Sequence, residues 1–328
     1  MESFIFALNA VAPIILTVAI GYLLKKIGMM NEDFAKKANK VVFRVFLPTM
    51  LFMNIYSIEN IKAVDMGYVI YSLIALLIIF AVALPSVTLL TNKKECRGAL
   101  LQSVFRSNYA FIGIPLASSL FPSEGAAVAT LLSAFVVPVF NILAVIALSI
   151  FNNNGEKPNF KKVLLGISKN PLILSIAAGL VALGIRTILV NADISFRISN
   201  IPAVWNTMKN LSSIATPLAL LVLGAQFEFS AISSLKREII CGTVIRSLVV
   251  PILGIGIAFL AFRNSFGGAQ FASLIAVFCT PVAVSSVPMA QEMGADAELA
   301  GQLVVFTTIS SAFTVFVASF LLKLAGIF

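Results

Sequence analysis

Long apolar runs recur along almost the whole chain and limit what it can fold into. A helix needs about 20 apolar residues to cross the hydrocarbon of a bilayer. The chain is 59% hydrophobic and 11% charged, with a mean hydropathy of +1.02, which an ordinary soluble domain does not reach. The sequence therefore predicts an all-α polytopic protein of the lipid bilayer with ten transmembrane helices. The ten runs lie at roughly 4–24, 34–55, 67–91, 98–121, 125–151, 169–190, 203–227, 239–262, 268–292 and 297–322.

The basic residues indicate how these runs are oriented. The net charge is +9, but Lys and Arg cluster in the short connections between runs, which reports topology and predicts no nucleic-acid partner. With the N-terminus outside, 14 of the 23 basic residues fall in inner connections and 5 in outer ones. The first run has Lys25 and Lys26 after it and no basic residue before it, the reverse of a secretory signal peptide. We expect a multi-pass protein of the cell (inner) membrane with both termini on the non-cytoplasmic side.

Residue types that most catalytic and metal sites need are missing from the chain. There is no His, and Cys96, Cys241 and Cys279 have neither metal-ligand nor redox spacing. No GxSxG or HExxH element is present, so an intramembrane enzyme lacks its required groups. A membrane sensor or scaffold would need a signalling domain, which the sequence does not show. We therefore predict no enzyme, no metal site and no cofactor other than a coupling ion.

Three pairs of segments indicate an internal duplication. "PIILTVAIG" at 13–21 matches "PLILSIAAG" at 171–179 in five of nine positions. The offsets between paired segments are 158, 169 and 173 residues, so the order of elements is kept while the connections vary in length. The other two pairs are Lys40 and Pro48 against Lys209 and Pro217, and "GIPLA" at 113–117 against "SVPMA" at 286–290.

The duplication determines the expected topology. A repeat of five passes is odd, so the second copy must enter the membrane from the opposite side. We predict two inverted five-helix repeats, 1–151 and 163–328, joined by a cytoplasmic linker at 152–162. Inverted halves with helices interrupted at corresponding positions are typical of secondary transporters. The fourth and ninth passes carry the interruptions here, and we expect them to be broken helices that cross near mid-membrane.

Proline, glycine and polar side chains mark the two interruptions. A Pro inside a helix frees the carbonyl four residues earlier, and an unpaired carbonyl is costly in hydrocarbon. A new helix N-terminus has free N–H groups and a dipole that favour a carboxylate. Kinking or close packing is the alternative for a single Pro or Gly, and snorkelling or structural pairing is the alternative for Arg106. The candidate substrate-binding residues are Arg106, Asn108, Gly113, Pro115, Thr280, Pro281, Ser285, Ser286 and Pro288.

Four motifs carry a resemblance to a known family. They are "NYAFIGIPL" (108–116), "KNP" (169–171), "LVLGAQF" (221–227) and "TPVAVSSVPMAQE" (280–292). Over essentially the whole chain they resemble the auxin efflux carrier family, which includes plant auxin exporters and bacterial carriers of malate, malonate and similar acids. The resemblance implies a fold like that of bile acid/sodium symporters. Passes 1, 2, 6 and 7 would form a scaffold, passes 3–5 and 8–10 a moving unit, and the scaffold would make a homodimer.

The resemblance also implies roles for three residues. Asn108 matches the Asn that contacts the substrate carboxylate beside the crossing in the plant carriers. Asn170 of "KNP" is implied to make a polar substrate contact, with helix N-capping as its alternative. Glu292 resembles the acidic position of an "AKE" element and is a coupling candidate, with a solvated helix end as its alternative. The short linker, and Val282-Ala283 where plant exporters have Gln-Gly, argue against auxin itself.

The sequence therefore predicts a secondary carrier that moves small organic anions, such as malate, malonate or auxin-like acids, by alternating access. The alternative is a sodium-coupled symporter of larger organic anions of the bile acid type. Uniport, proton symport and sodium symport all stay open. Acidic residues lie near the ends of the apolar runs, whereas the interruptions supply carbonyls and hydroxyls that would suit sodium.

Overall fold

The computed structural model describes residues 2–58, 66–122, 124–151 and 165–328, so the linker predicted at 152–162 lies outside the described residues. Within these ranges every regular element is helical and no strand is present. Apart from the short turns Ile198–Asn200 and Ala231–Ser234, we number the helices in chain order. They are α1 Glu2–Lys26, α2 32–56, α3 Met66–Leu90, α4 Lys94–Phe105, α5 Tyr109–Leu120, α6 Gly125–Phe151, α7 Pro171–Asn191, α8 Pro202–Gln226, α9 Lys236–Phe262, α10 Gly268–Phe278, α11 Ser286–Glu292 and α12 Ala297–Leu324.

Six of the described helices, α3, α6, α7, α8, α9 and α12, are long and apolar enough to cross a membrane. Their outer faces expose large apolar side chains, as a lipid-facing surface requires, while α10 is buried along nearly its whole length. The prediction of an all-helical multi-pass membrane protein is confirmed. The enclosed α10 packs against α5, α6, α9 and α12.

Close backbone contacts hold α1 against α8. A Cβ atom added to Gly224 would collide with the backbone of Val18, and one added to Gly21 would collide with the backbone of Leu221. Membrane helices associate through such small residues because lipid gives no hydrophobic drive for helix pairing. The other extensive interface joins α2 to α7, and α2 also packs on α8. Helices α1, α2, α7 and α8 therefore form one packed group. We call these four helices the α1–α8 wall; α3 to α6 do not belong to it.

Wide helical turns accommodate three of the prolines. The π turns Val42–Phe46, Tyr109–Gly113 and Ile245–Val249 each end two residues before a proline: Pro48, Pro115 and Pro251. In each case the residue just before the proline donates its backbone N–H to the carbonyl five residues earlier, as Ile114 does to Tyr109. An i→i−5 bond widens the turn and removes the clash between the proline ring and the preceding carbonyls. The helix therefore continues through Pro115.

Candidate functional site

Two interrupted helices cross at the centre of the molecule. The stretch 106–108 separates α4 from α5, and the stretch 279–285 separates α10 from α11. The two stretches run antiparallel, with a β-bridge between Ser107 and Val282. The backbone N–H of Asn108 donates to the carbonyl of Pro281 over 2.8 Å. Each break thus satisfies backbone groups of the other, which is how non-helical backbone is tolerated at membrane depth.

Arg106 lies buried in the first break with only 2% of its surface exposed. None of the ion pairs found among the described residues includes it. A buried positive charge surrounded by neutral groups is costly, and a nearby anion would lower that cost. Its guanidinium donates to five neutral side chains: Asn141 Oδ1 at 2.7 Å, Met289 Sδ at 2.8 Å, Gln102 Oε1 at 2.9 Å, Ser285 Oγ at 2.9 Å and Ser286 Oγ at 3.4 Å.

Asn108 supplies a second donor beside Arg106. Its side chain is 7% exposed, and the Nδ2 atom is buried without a hydrogen-bond partner among the described residues. An orphaned buried donor costs about 1–3 kcal/mol and therefore calls for an acceptor. Asn108 precedes α5 without capping it, so the first backbone N–H groups of α5, from Tyr109 to Phe111, have no acceptor within their own helix.

A small cavity of about 50 Å³ opens between the crossing and the α1–α8 wall. Arg106, Asn108 and Ser285 line its polar side, and Asn141 of α6 lies beside them. Leu47 and Met50 of α2, with Ala215 and Thr216 of α8, line the opposite side. The described lining contains no Asp or Glu. The cavity has room for a few water molecules and combines a cationic side with a mainly apolar one.

The second break is largely closed on itself. The N–H of Ser286 donates to Ala283 over 2.9 Å and that of Val287 to Val284 over 3.2 Å. We expected free N–H groups at the start of both second half-helices, and α11 does not have them because its first turn is tightened by these bonds. Pro288 lies in this first turn, where a missing N–H costs nothing.

Thr280 and Pro281 are part of the crossing but do not line the small cavity. The Thr280 hydroxyl donates to the carbonyl of Ala276 over 2.7 Å, and the Pro281 carbonyl receives the N–H of Asn108. Ser285 is the predicted residue of the second break that lines the cavity. Ser286 is buried behind it, against Arg106.

Gly113 and Pro115 lie away from the cavity. Gly113 lets α5 approach α10, since an added Cβ would stand 3.1 Å from Ala276, and its N–H already donates to the carbonyl of Asn108. Pro115 is on the exposed face of α5. The interruption lies at 106–108, upstream of the two residues to which the sequence reasoning attributed it.

Asn170 and Glu292 are also outside the described cavity lining. The Asn170 side chain accepts the N–H of Leu172 over 2.9 Å and caps α7, in agreement with its helix-capping alternative. Glu292 ends α11, with its carboxylate 3.7 Å from the Arg44 side chain of α2. This pair connects α11 to the α1–α8 wall, at a distance from the crossing residues.

A larger polar cavity, of about 400 Å³, lies between α1, α8, α11 and α12. Charged side chains line it, including Lys25, which pairs with Glu228, and Lys36, which pairs with Glu32 over 2.7 Å. The hydrogen bond and the charge of Lys36 hold the pKa of the Glu32 carboxyl below its ordinary value.

Sequence reasoning missed Asn141, Thr216 and Arg246. Asn141 and Thr216 line the small cavity, and Arg246 is 1% exposed at the crossing. A charged or amide side chain in the middle of an apolar run is the signal that could have found Arg246 and Asn141. Thr216 gives no such signal, because a single Thr is common in membrane helices.

Comparison with known proteins adds a family match. The family described as "Membrane transport protein" matches residues 6–319. A protein of Methanothermobacter thermautotrophicus described as an uncharacterized transporter is 22% identical in an alignment 327 residues long. The alignment covers 94% of this chain and 96% of the relative. Another uncharacterized transporter, from Methanocaldococcus jannaschii, is 24% identical over 250 residues, covering 74% of this chain and 76% of the relative.

Proposed function

We propose that this chain, which belongs to the membrane transport protein family of auxin efflux carriers, moves small organic anions across the membrane as a secondary carrier. The family and the two relatives support transport. Malate, malonate and other small carboxylates are our substrate class. The arrangement of charge and free donors at the crossing is the reason for choosing anions.

One observation carries the proposal: within the part of the chain that the structure describes, a buried arginine without an acidic partner lies beside an amide donor without an acceptor. A carboxylate in the small cavity would accept hydrogen bonds from Asn108 Nδ2 and from the first N–H groups of α5, and it would neutralise Arg106. Charge-assisted bonds to a carboxylate are roughly twice as strong as neutral ones. The apolar residues of α2 and α8 would contact the carbon skeleton.

The topology we propose has ten passes in two inverted repeats, 1–151 and 163–328. Counting α4 with α5, and α10 with α11, as single interrupted passes gives five passes before the linker and five after it. The interrupted pass is the fourth in each half, which fits paired interruptions at a central site. We place both termini on the non-cytoplasmic side, in the cell membrane.

Transport in this scheme is a change of access to a fixed site. The small cavity separates the crossing from the α1–α8 wall, and the larger cavity lies between that wall and α11 and α12. In the proposed topology the larger cavity is on the inner side. Movement of the crossing helices relative to the wall would connect the two cavities or open the site to the other face. A volume of about 50 Å³ favours small carboxylates over anions the size of bile acids.

The test is anion binding and uptake with matched variants. Purified protein would be screened by thermal shift against mono- and dicarboxylates, and the best ligands would be followed as labelled uptake into proteoliposomes. We expect Arg106→Gln and Asn108→Ala each to weaken binding by about tenfold or more, because each removes about 1–3 kcal/mol of hydrogen bonding to the carboxylate. Arg263→Gln is the control, since Arg263 is exposed at the far end of α9. Unchanged binding in both site variants would overturn the proposal.

A further inference from the structure

Arg246 is a second buried arginine at the crossing, and the hydrogen bonds found for its side chain among the described residues all go to backbone carbonyls. It lies in the π turn Ile245–Val249 of α9 with 1% of its surface exposed. Its Nε and Nη2 atoms donate to the carbonyl of Thr280 over 3.0 and 2.7 Å. Nη2 also donates to Val277 O over 3.0 Å, and Nη1 to Val104 O over 3.2 Å. None of the ion pairs among the described residues includes it.

Two of the three carbonyls belong to the ends of the interrupted helices, and the third, that of Thr280, belongs to the second break. Val104 is in the last turn of α4 and Val277 in the last turn of α10, where carbonyls have no donor in their own helix. In a continuous helix the carbonyl of Val277 would accept the N–H of residue 281, but residue 281 is a proline and has no N–H. The carbonyl of Val104 would accept the N–H of Asn108, which donates to Pro281 instead. The breaks therefore create these free carbonyls.

A cation is the natural partner for such a group of oxygens. Two helix C-termini, each with a partial negative charge, converge here with three carbonyl oxygens. In secondary transporters, free carbonyls and half-helix C-termini of this kind coordinate the coupling Na⁺ or H⁺. In this chain the guanidinium of Arg246 fills that position and makes four hydrogen bonds, which a carbonyl cage would otherwise make with an ion.

We infer that Arg246 is a tethered cation that replaces a coupling alkali cation at the crossing, so that the carrier moves its anion without sodium at this position. The inference rests on the proposed transport function. Arg246 does not line the small cavity, whereas Arg106 does. The two arginines thus have separate roles: Arg106 faces the substrate anion, and Arg246 holds the two helix ends in the geometry that presents Arg106 and Asn108.

The first test compares cations for the unaltered protein and for Arg246→Ala. Labelled malate uptake would be measured in proteoliposomes with Na⁺, guanidinium or the bulky N-methylglucamine ion as the added cation. We expect equal rates, within about twofold, for the unaltered protein in all three. We expect Arg246→Ala to lose at least about tenfold in N-methylglucamine and to regain activity with Na⁺ or guanidinium, because those ions can enter the vacated carbonyl cage.

Arg246→Lys is the matched variant, since it keeps a tethered positive charge with three donors. We expect it to stay within about fivefold of the unaltered protein and to show no dependence on Na⁺. It also serves where Arg246→Ala does not fold. A strict requirement of the unaltered protein for Na⁺, or a sodium requirement in Arg246→Lys, would overturn the inference. A folded Arg246→Ala protein that no cation rescues would assign Arg246 a packing role alone, and this too would overturn it.

A binding measurement separates failure of this inference from failure of the proposed function. Thermal shift needs no known substrate: Na⁺ or guanidinium should raise the melting temperature of Arg246→Ala and leave that of the unaltered protein unchanged. Absence of malate uptake together with this shift would contradict the proposed substrate and retain the tethered cation. Malate uptake without the shift would retain the function and remove the tethered cation.

Discussion

The two breaks occupy corresponding places in the chain but differ in what they leave unpaired. Among the described residues, the first break leaves an orphaned amide at Asn108, uncapped N–H groups at the start of α5 and a charge without a counter-charge at Arg106. The second break leaves few such groups. Thr307 of α12 accepts the N–H of Val282 over 3.1 Å, and α11 tightens its own first turn. We therefore propose that the first break binds the ligand and that the second one is a rigid element.

The difference shows that two breaks at corresponding places of the proposed repeat need not have the same role. Backbone N–H and C=O groups freed inside a membrane need hydrogen-bond partners, which side chains of the protein or a ligand can supply. Here side chains of the protein, chiefly Arg246 and Thr307, satisfy the second break. The first break keeps the Asn108 amide and the first N–H groups of α5 without a partner among the described residues, which costs stability and fits a ligand that would complete them.

The largest expected effect comes from giving the first break its own anion. Asn108→Asp places a carboxylate of nearly the same shape beside the buried charge of Arg106. We expect anion binding to fall by about 100-fold or more, since the new carboxylate occupies the site and repels a second one. We also expect the melting temperature to rise, because the arginine gains a counter-charge. Ligand-dependent thermal shift measures both effects on one sample.

The control for that variant is Asn170→Asp. Asn170 caps α7, and Asp caps a helix as well as Asn does, so neither stability nor anion binding should change by more than a small factor. If Asn108→Asp lowered the melting temperature and left anion binding intact, the first break would not be the one that binds the ligand, and the comparison between the breaks would fail.

Much of the fold could be predicted from the sequence, for simple physical reasons. The ten apolar runs follow from the need to cross about 30 Å of hydrocarbon, and six of the described helices meet that requirement as single continuous segments. Arg106 and Asn108 stood out because charge and amide groups are rare at membrane depth. Both proved to lie on one cavity at the crossing.

Other parts of the site depend on backbone geometry that residue types do not reveal. Pro115 looked like a helix breaker, but a π turn absorbs it, whereas 106–108 is extended without containing any proline or glycine. That stretch is non-helical because it pairs with 279–285, a contact between residues more than 170 positions apart. Asn170 shows the reverse case, in which local capping explains the residue without a ligand.

Substitutions in the partners of the second break should lower the stability of the protein and leave its anion affinity nearly unchanged. Thr307→Val keeps the side-chain shape and leaves the N–H of Val282 without an acceptor, so we expect a loss of about 1–3 kcal/mol in unfolding free energy. Anion affinity of the folded protein should stay within about threefold. Thr308→Val is the matched control: Thr308 is as deeply buried, but its hydroxyl donates only to Val304 of its own helix. A loss of affinity in Thr307→Val without loss of stability would assign the second break to the ligand.

The smallest expected effect is at Pro115, which tests where the first break lies. Pro115 is exposed and preceded by a wide turn, so Pro115→Ala should let that turn relax, change the melting temperature little and leave uptake unaltered. Pro281→Ala makes the same chemical change in the second break, but it creates an N–H that competes with Arg246 for the carbonyl of Val277. We expect its uptake to fall by about tenfold, equivalent to about 1.4 kcal/mol. If Pro115→Ala were the more damaging variant, the interruption would depend on Pro115 after all, and the extended stretch 106–108 would not be its origin.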